Sequence, residues 1–305
     1  MTKGFITIAT GDKQYYKIAA NLLLSYRCFS ESPCPFAIIA DEENEYTALF
    51  DDVIITNEAK RSFLDKFLIL KLCPYDETIF LDADCLAYGD LNKYWEFFKD
   101  ATDFSAVGSN FDLSDNNGAW YNLDGIGEYG KLIKYKTKIH AGVMFVRNTN
   151  KLEKLYRDYM EMCDSFDTLY FHTCPFSIDE CVLGVALPLN NMKAVEENPQ
   201  LIASYPALTT LKVDMMKREL QYSTPWHDTV NGILLHWGTA QTRQPLYKFN
   251  VECLEYLVSE KKTFLNEVKY QLKFRLLALR IKNLPSEITL LMKRIKNKCL
   301  GAKRG

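Results

Sequence analysis

Over its first 84 residues the chain alternates short apolar β-type runs with helical patterns, and this alternation restricts the fold more than any other feature. The run GFITIAT reads as a strand and is followed by the turn Gly11-Asp12. YYKIAANLLLSYRCF has a helical pattern, with Ile18, Leu22 and Tyr26 on one face. PFAIIA is a short apolar strand, EYTALF a helical turn and DVIIT another strand. RSFLDKFLILKLCP reads as a helix whose end is enforced by Pro74, and TIFLDAD returns to strand. Such βαβ alternation predicts an α/β fold with a mainly parallel sheet and helices on both faces. Ligands of such sheets bind at the carboxyl ends of the strands, where Thr10 to Asp12, Asp41 and Asp82 to Asp84 fall.

The alternation breaks after about residue 105. Residues 110–130 contain four glycines and several Asn and Asp, and read as a long loop of the kind that usually carries function. KIHAGVMFVRN is a strand, Lys151 to Cys163 a helix, FSIDECVLGVAL a buried helix, and GILLHWG a strand with His236 at its end.

The C-terminal segment differs in character. From Glu267 to Gly305 there are eleven Lys/Arg and two acidic residues, a net of +9 in a chain whose total is −2. Leu265, Val268, Leu272, Leu276 and Leu279 recur at helical spacing, with basic residues on the opposite side. Pro285 separates this from a second basic amphipathic piece containing Ile288, Leu291 and Ile295. A basic face with a continuous apolar stripe suits an anionic membrane surface. Nucleic acid is not expected, because no binding module accompanies the charge.

The nine cysteines form no CxxC pair, which argues against a disulfide framework and for a reducing, cytoplasmic compartment. His172, Cys174 and Cys181 fit no closed metal site. The N-terminal apolar run is too short for a signal peptide. Nor does any stretch reach the roughly 18 apolar residues of a membrane span.

The chemistry concentrates in ETIFLDADCLAYGDL, residues 77–91. In an extended strand, side chains two apart point the same way, so Asp82 and Asp84 would converge on one point. Two carboxylates suit a hard divalent cation, Mn²⁺ or Mg²⁺, with positions left open for substrate phosphates.

Several ordered pieces of the chain resemble the family 8 glycosyltransferases, the glycogenin and bacterial lipopolysaccharide galactosyltransferase type, over roughly residues 4–250. ITIATGDKQYYKIAANLLLSY is similar to their nucleotide-binding start, and DKFLILKLCPYDETIFLDADCLAYGDL to their helix–strand–DxD unit. HAGVMFVRN, IDECVLG and HWGTAQTRQPLY resemble three later segments. The resemblance implies a GT-A type fold, with a catalytic domain over 1–255 built on a single Rossmann-like mixed sheet. Residues 256–305 would be amphipathic basic helices that dock on a membrane or a partner. Ala9, Thr10 and Asp12 would hold the uracil and ribose, with Tyr15 stacking on the base and Lys66 contacting the nucleotide. Asp82, Asp84 and His236 would hold the metal, Asp82 also reaching the ribose, and Asp179 would bind the donor sugar's hydroxyls. Arg243 or Lys248 would clamp the diphosphate in place of the family's lysine. Two positions that face the sugar depart from the family, His140 for Asn and Glu180 for Gln, and a glutamate there has the chemistry of a nucleophile.

The expected activity is a metal-dependent, retaining transfer of a hexose from a UDP-sugar to a glycan or lipid-linked acceptor in surface polysaccharide synthesis, from the cytoplasmic side. Two alternatives remain open on the sequence. One is a haloacid-dehalogenase-like phosphatase, whose nucleophile motif also runs from an apolar strand into D-x-D. The other is a non-catalytic relative that binds sugar nucleotides or glycans.

Overall fold

The computed structural model describes residues 1–115, 119–165 and 178–259, together with 288 and 292. The basic helices expected over residues 256–305 therefore lie outside the described residues, apart from 256–259 and those two positions. The chain forms two compact units, the first from Met1–Ala19, Cys34–Ala83 and Asn92–Asn198. The second takes Ala20–Pro33, Asp84–Leu91 and the described residues from Pro199 on.

In chain order the first eight strands are β1 (Lys3–Ile8), β2 (Phe36–Ala40), β3 (Asp52–Ile55), β4 (Glu77–Leu81), β5 (Cys85–Ala87), β6 (Phe104–Phe111), β7 (Lys136–Arg147) and β8 (Val195–Glu196). All but β5 form the seven-stranded sheet of the first unit, in the order β3-β2-β1-β4-β7-β6-β8. Pairing is parallel from β3 through β4 and again between β6 and β8. It is antiparallel where β7 meets β4 and β6. The predicted α/β fold with a mixed, mainly parallel sheet is thus observed. Strand β2 is buried along its whole length and apolar throughout, as a strand covered on both faces must be. Glu77 is buried in β4, where its charge is met by Lys3 at 2.8 Å and by both Arg147 Nε and Nη2 at 3.1 and 2.8 Å.

Helix α1 spans Lys13–Phe29, and Ile18, Leu22 and Tyr26 are all buried, as its periodicity predicts. The segment expected as one helix before β4 is instead a 3-10 turn, Phe63–Leu68, running into the short helix α2 (Ile69–Leu72). Helices α3 (Lys93–Phe97) and α4 (Glu128–Leu132) are also short. The longer α5 (Lys151–Asp164) and α6 (Ile178–Leu189) share one core with the sheet and the 3-10 turn, in which Phe67 stacks on Tyr159 at 3.8 Å between ring centroids. The expected long loop is partly core: Tyr121 and Ile126 are buried, and the Tyr121 hydroxyl donates to the Gly184 carbonyl at 3.0 Å.

The second unit contributes two three-stranded sheets, of which the sequence pattern announces only the strand that ends at His236. One is β10 (Thr210–Asp214), β11 (Glu219–Ser223) and β12 (Val230–Asn231), the other β5, β13 (Leu234–His236) and β9 (Ala203–Ser204). Its last described helix, α7, spans Pro245–Val258. Buried Trp237 stacks on Tyr205 at 5.3 Å and meets Tyr247 edge-on at 5.5 Å. Among the described residues six cysteines are free, and Cys181 is disulfide-bonded, which departs from the expectation of unpaired cysteines.

Helix α6 approaches β7 so closely that a Cβ on Gly184 would lie 2.8 Å from the Thr137 carbonyl oxygen. Helix propensity alone favours alanine over glycine by about 1 kcal/mol. We expect the backbone clash to reverse that sign: Gly184→Ala should lose roughly 1–2 kcal/mol in urea denaturation. A gain in stability would show that α6 can lift from the strand without penalty.

Candidate functional site

The first unit gathers its charged groups at the carboxyl end of β4. That strand ends at Leu81; Asp82 lies just beyond it and Asp84 sits in a turn, so the alternation argument for their convergence does not apply. The Asp82 N–H continues the ladder by donating to the Gly142 carbonyl at 3.0 Å. The Asp82 side chain meets Lys66, whose ammonium lies 3.0 Å from Asp82 Oδ2 and 2.8 Å from Asp179 Oδ2. Lys66 comes from the 3-10 turn and Asp179 from the first turn of α6. Both are largely buried, with side chains 11% and 6% exposed. Burial alone would push the ammonium's pKa down. The two carboxylates outweigh it and hold Lys66 well above the usual lysine value.

Other predicted residues have structural work in this unit. The Thr10 hydroxyl donates to Asp65 Oδ2 at 3.0 Å, and Asp65 also accepts the Lys60 and Ser62 N–H groups. Ser62 and Asp65 form a capping box on the turn that carries Lys66. Ala9 is buried and donates its N–H to the Ile39 carbonyl. Asp12 accepts the Gln14 N–H at 2.8 Å and so caps the start of α1. Tyr15 is 40% exposed and makes no side-chain hydrogen bond among the described residues, whereas its neighbour Tyr16 is buried and donates to Asp41.

Asp41, at the end of β2, also accepts the Gly11 N–H at 3.0 Å and Arg61 Nε at 3.1 Å. Gly11 has φ +87°, a left-handed conformation that favours glycine, so Asp41 pins the loop between β1 and α1. Burial would raise the Asp41 pKa, but donation from Tyr16, Gly11 and Arg61 holds it below the usual carboxylate value.

His140 and Glu180 meet the backbone of β7. His140 Nδ1 accepts the Gly142 N–H at 3.1 Å, and Glu180 Oε1 accepts the Ala141 N–H at 3.1 Å.

In the second unit β13 runs antiparallel to β5, pairing His236 with Cys85. That register places Asp84, one residue ahead of β5, beside His236: the Oδ1 to Nε2 distance is 3.0 Å. The Thr239 hydroxyl donates to Asp84 Oδ2 at 3.1 Å, and the Trp237 N–H to the Asp84 carbonyl at 3.1 Å. Gly238, at φ +79°, turns the chain between them. Arg243 and Lys248 follow, both exposed and without an ion pair among the described residues.

The structure thus brings Lys66, Asp82 and Asp179 together in one unit and Asp84 and His236 in the other. Sequence reasoning missed Asp65 and Thr239 and gave Asp41 no role. The capping-box spacing of Ser62 and Asp65 could have flagged the first.

The sequence matches no family model and no curated protein. Among solved structures it is similar to the apo form of glycosyltransferase GlyE from Streptococcus pneumoniae TIGR4, at 15% identity and a TM-score of 0.43, covering 66% of this chain and 46% of that one. It is also similar to the apo WbbM bifunctional glycosyltransferase, at 10% identity and a TM-score of 0.43, covering 67% of this chain and 40% of that one. This chain therefore aligns to less than half the length of either structure. Likenesses this distant assign neither a family nor an activity.

Lys66→Ala would remove the ammonium that lies between the buried Asp179 and the half-buried Asp82 carboxylates. We expect a loss of about 3–5 kcal/mol at pH 7 by urea denaturation. A loss within about 0.5 kcal/mol, as for an ordinary surface substitution, would refute the electrostatic role. Asp41 has a depressed folded-state pKa, so its contribution is complete above the unfolded value of about 3.9 and is lost as pH falls through the folded one. The stability gap between the native chain and Asp41→Asn should accordingly be constant from pH 5 to 7 and close below about pH 4.

Proposed function

We propose that the chain is a metal-dependent, retaining glycosyltransferase that moves a hexose from a UDP-sugar to a glycan or lipid-linked acceptor in surface polysaccharide synthesis. The observation that carries this reading is the buried Lys66, locked between Asp82 and Asp179 at the carboxyl end of a central strand. One positive charge between two carboxylates leaves the trio at −1, so a diphosphate would be held there only with a divalent cation bound beside it.

Asp82, Asp84 and His236 are half-buried, each offers one donor atom, and together they would hold Mn²⁺ or Mg²⁺. An octahedral ion with ligands at about 2.1 Å needs neighbouring donors about 3 Å apart. The 3.0 Å separation of Asp84 Oδ1 and His236 Nε2 fits that edge, and two oxygens with one imidazole are an acceptable set for Mn²⁺. A cation bound there would neutralise the diphosphate as the sugar–phosphate bond breaks.

The chain's own groups do the rest. Lys66 orients Asp82 and adds positive charge near the nucleotide. Arg243 or Lys248, both exposed, clamps the diphosphate. Ala9, Thr10, Asp12 and Tyr15 border the nucleotide. Asp179 engages Lys66 through Oδ2, and its other oxygen, without a hydrogen bond among the described residues, accepts from a sugar hydroxyl.

Among the described residues no helix is long and apolar enough to cross a membrane. The net charge of +9 from Glu267 onward supports docking of residues 256–305 on an anionic membrane at the cytoplasmic side.

UDP with Mn²⁺ should stabilise the chain by roughly 2.7 kcal/mol at a hundredfold excess over its dissociation constant, and EDTA should abolish the effect. Asp84→Asn and His236→Ala should each weaken Mn²⁺ binding on the order of 100-fold and suppress UDP release from UDP-sugars. Metal-independent UDP binding would sink the reading. So would phosphate release from monoesters in place of UDP release, which would favour a phosphatase.

A further inference from the structure

Strand β7 carries an irregularity opposite Ala106 and Val107. Ala106 faces Met144 while Val107 faces His140, so Ala141, Gly142 and Val143 have no counterpart on β6. Two backbone N–H groups of this bulge are taken up by side chains: Ala141 donates to Glu180 Oε1 and Gly142 to His140 Nδ1, each at 3.1 Å. The Gly142 carbonyl then accepts the N–H of Asp82 at 3.0 Å. Asp82 is therefore held twice, its side chain through Lys66 to Asp179 and its backbone through the bulge to Glu180. Consecutive acids of one helical turn reach the same residue by separate routes.

We propose that Glu180 and His140 are positioning residues: they fix the bulge of β7 and, through the Gly142 carbonyl, the orientation of Asp82. Neither acts as the reacting nucleophile or acid. The inference rests on Asp82 as a cation ligand, and it deepens that assignment by giving the bulge a purpose. What the bulge needs from position 180 is a hydrogen-bond acceptor, not a negative charge. A glutamine can supply the acceptor, an alanine cannot. Residue 140 likewise needs an acceptor within reach of the Gly142 N–H, which asparagine retains and alanine lacks.

The test compares Glu180→Gln, Glu180→Ala, His140→Asn and His140→Ala in the full chain. Mn²⁺ affinity is measured by calorimetry, UDP release by a coupled assay, and exchange of the Asp82 amide by hydrogen–deuterium exchange of the peptide over residues 78–84. Glu180→Ala and His140→Ala should weaken Mn²⁺ about tenfold and speed Asp82 amide exchange without global unfolding. Glu180→Gln and His140→Asn should stay within about twofold of the native chain in affinity and exchange, and Glu180→Gln should keep UDP release. If Glu180→Gln binds Mn²⁺ normally yet releases no UDP, the carboxylate is itself reactive and the positioning role is overturned. If Glu180→Gln fails in exchange as badly as Glu180→Ala, the acceptor argument is wrong. A native chain that binds no Mn²⁺ removes the metal reading instead, and the exchange data then decide the positioning role alone.

Discussion

A lysine held between two carboxylates in a largely buried setting organises the first unit. Each buried charge costs several kcal/mol in lost hydration, and the grouping persists only because the geometry of all three members is good. Lys66 lies 2.8–3.0 Å from an oxygen of each acid. Its three members come from different elements: a 3-10 turn, the end of β4 and the first turn of α6. The acids must therefore be aligned by packing before the ammonium can join them. Phe67, the residue after Lys66, supplies part of that packing by stacking on Tyr159 of α5, and Gly184 supplies another part by letting α6 settle on β7. Electrostatics at the site thus depends on apolar fit a few residues away.

The strand that α6 rests on is also the one that changes the sheet's direction. β7 is antiparallel to both of its neighbours, and its pairing with β6 is locally out of register. An irregularity there leaves backbone donors to be satisfied, and unsatisfied buried donors cost about 1–3 kcal/mol each. Side chains of residues 140 and 180 take two of them. The polar residues that a sequence motif would mark as sugar-facing thereby have a prior obligation to the fold.

Much of this was legible in the sequence. Strands β1 to β4, helix α1, strand β7 with α5 and α6, and β13 ending at His236 all announce themselves through period and composition. Lys66 was expected to contact a nucleotide; that its ammonium meets Asp82 at 3.0 Å is not legible from the sequence. Three other things were not legible. Asp82 and Asp84 follow an apolar run that looks extended, but the chain turns after Leu81, which local propensity cannot distinguish from one more strand residue. The glycine-rich stretch around Tyr121 looks like a free loop because its buried groups are spread among polar ones. The small sheet of β10 to β12 lacks a long apolar run, since its strands are only partly buried and lean on alternation too short to count. Asp41 shows a different limit. Its sequence neighbours do not reveal that Gly11, Tyr16 and Arg61 converge on it, because the segments that carry them are brought together by parallel pairing of β2 with β1 and with β3.

The turn at Asp82–Asp84 does more than a strand end would. Residues two apart cannot have Cα atoms more than about 7 Å from each other, so either conformation lets both acids reach one ion. The turn adds a change of direction. It ends the ladder between β4 and β7 and starts β5 at Cys85, and β5 pairs antiparallel with β13 in a register that sets His236 opposite Cys85. The histidine is the last residue of its strand for the same reason that Asp84 stands just before the first residue of its own: antiparallel partners begin where their neighbours finish. Chain order and one antiparallel pairing therefore put the imidazole next to the second acid, whatever ion or substrate the site receives. A one-residue slip of β13 would instead set the apolar neighbours Leu235 or Trp237 opposite Cys85 and remove the nitrogen donor. The buried stack of Trp237 on Tyr205 opposes that slip. The apolar packing of the residue after the histidine is thus what keeps the histidine in register.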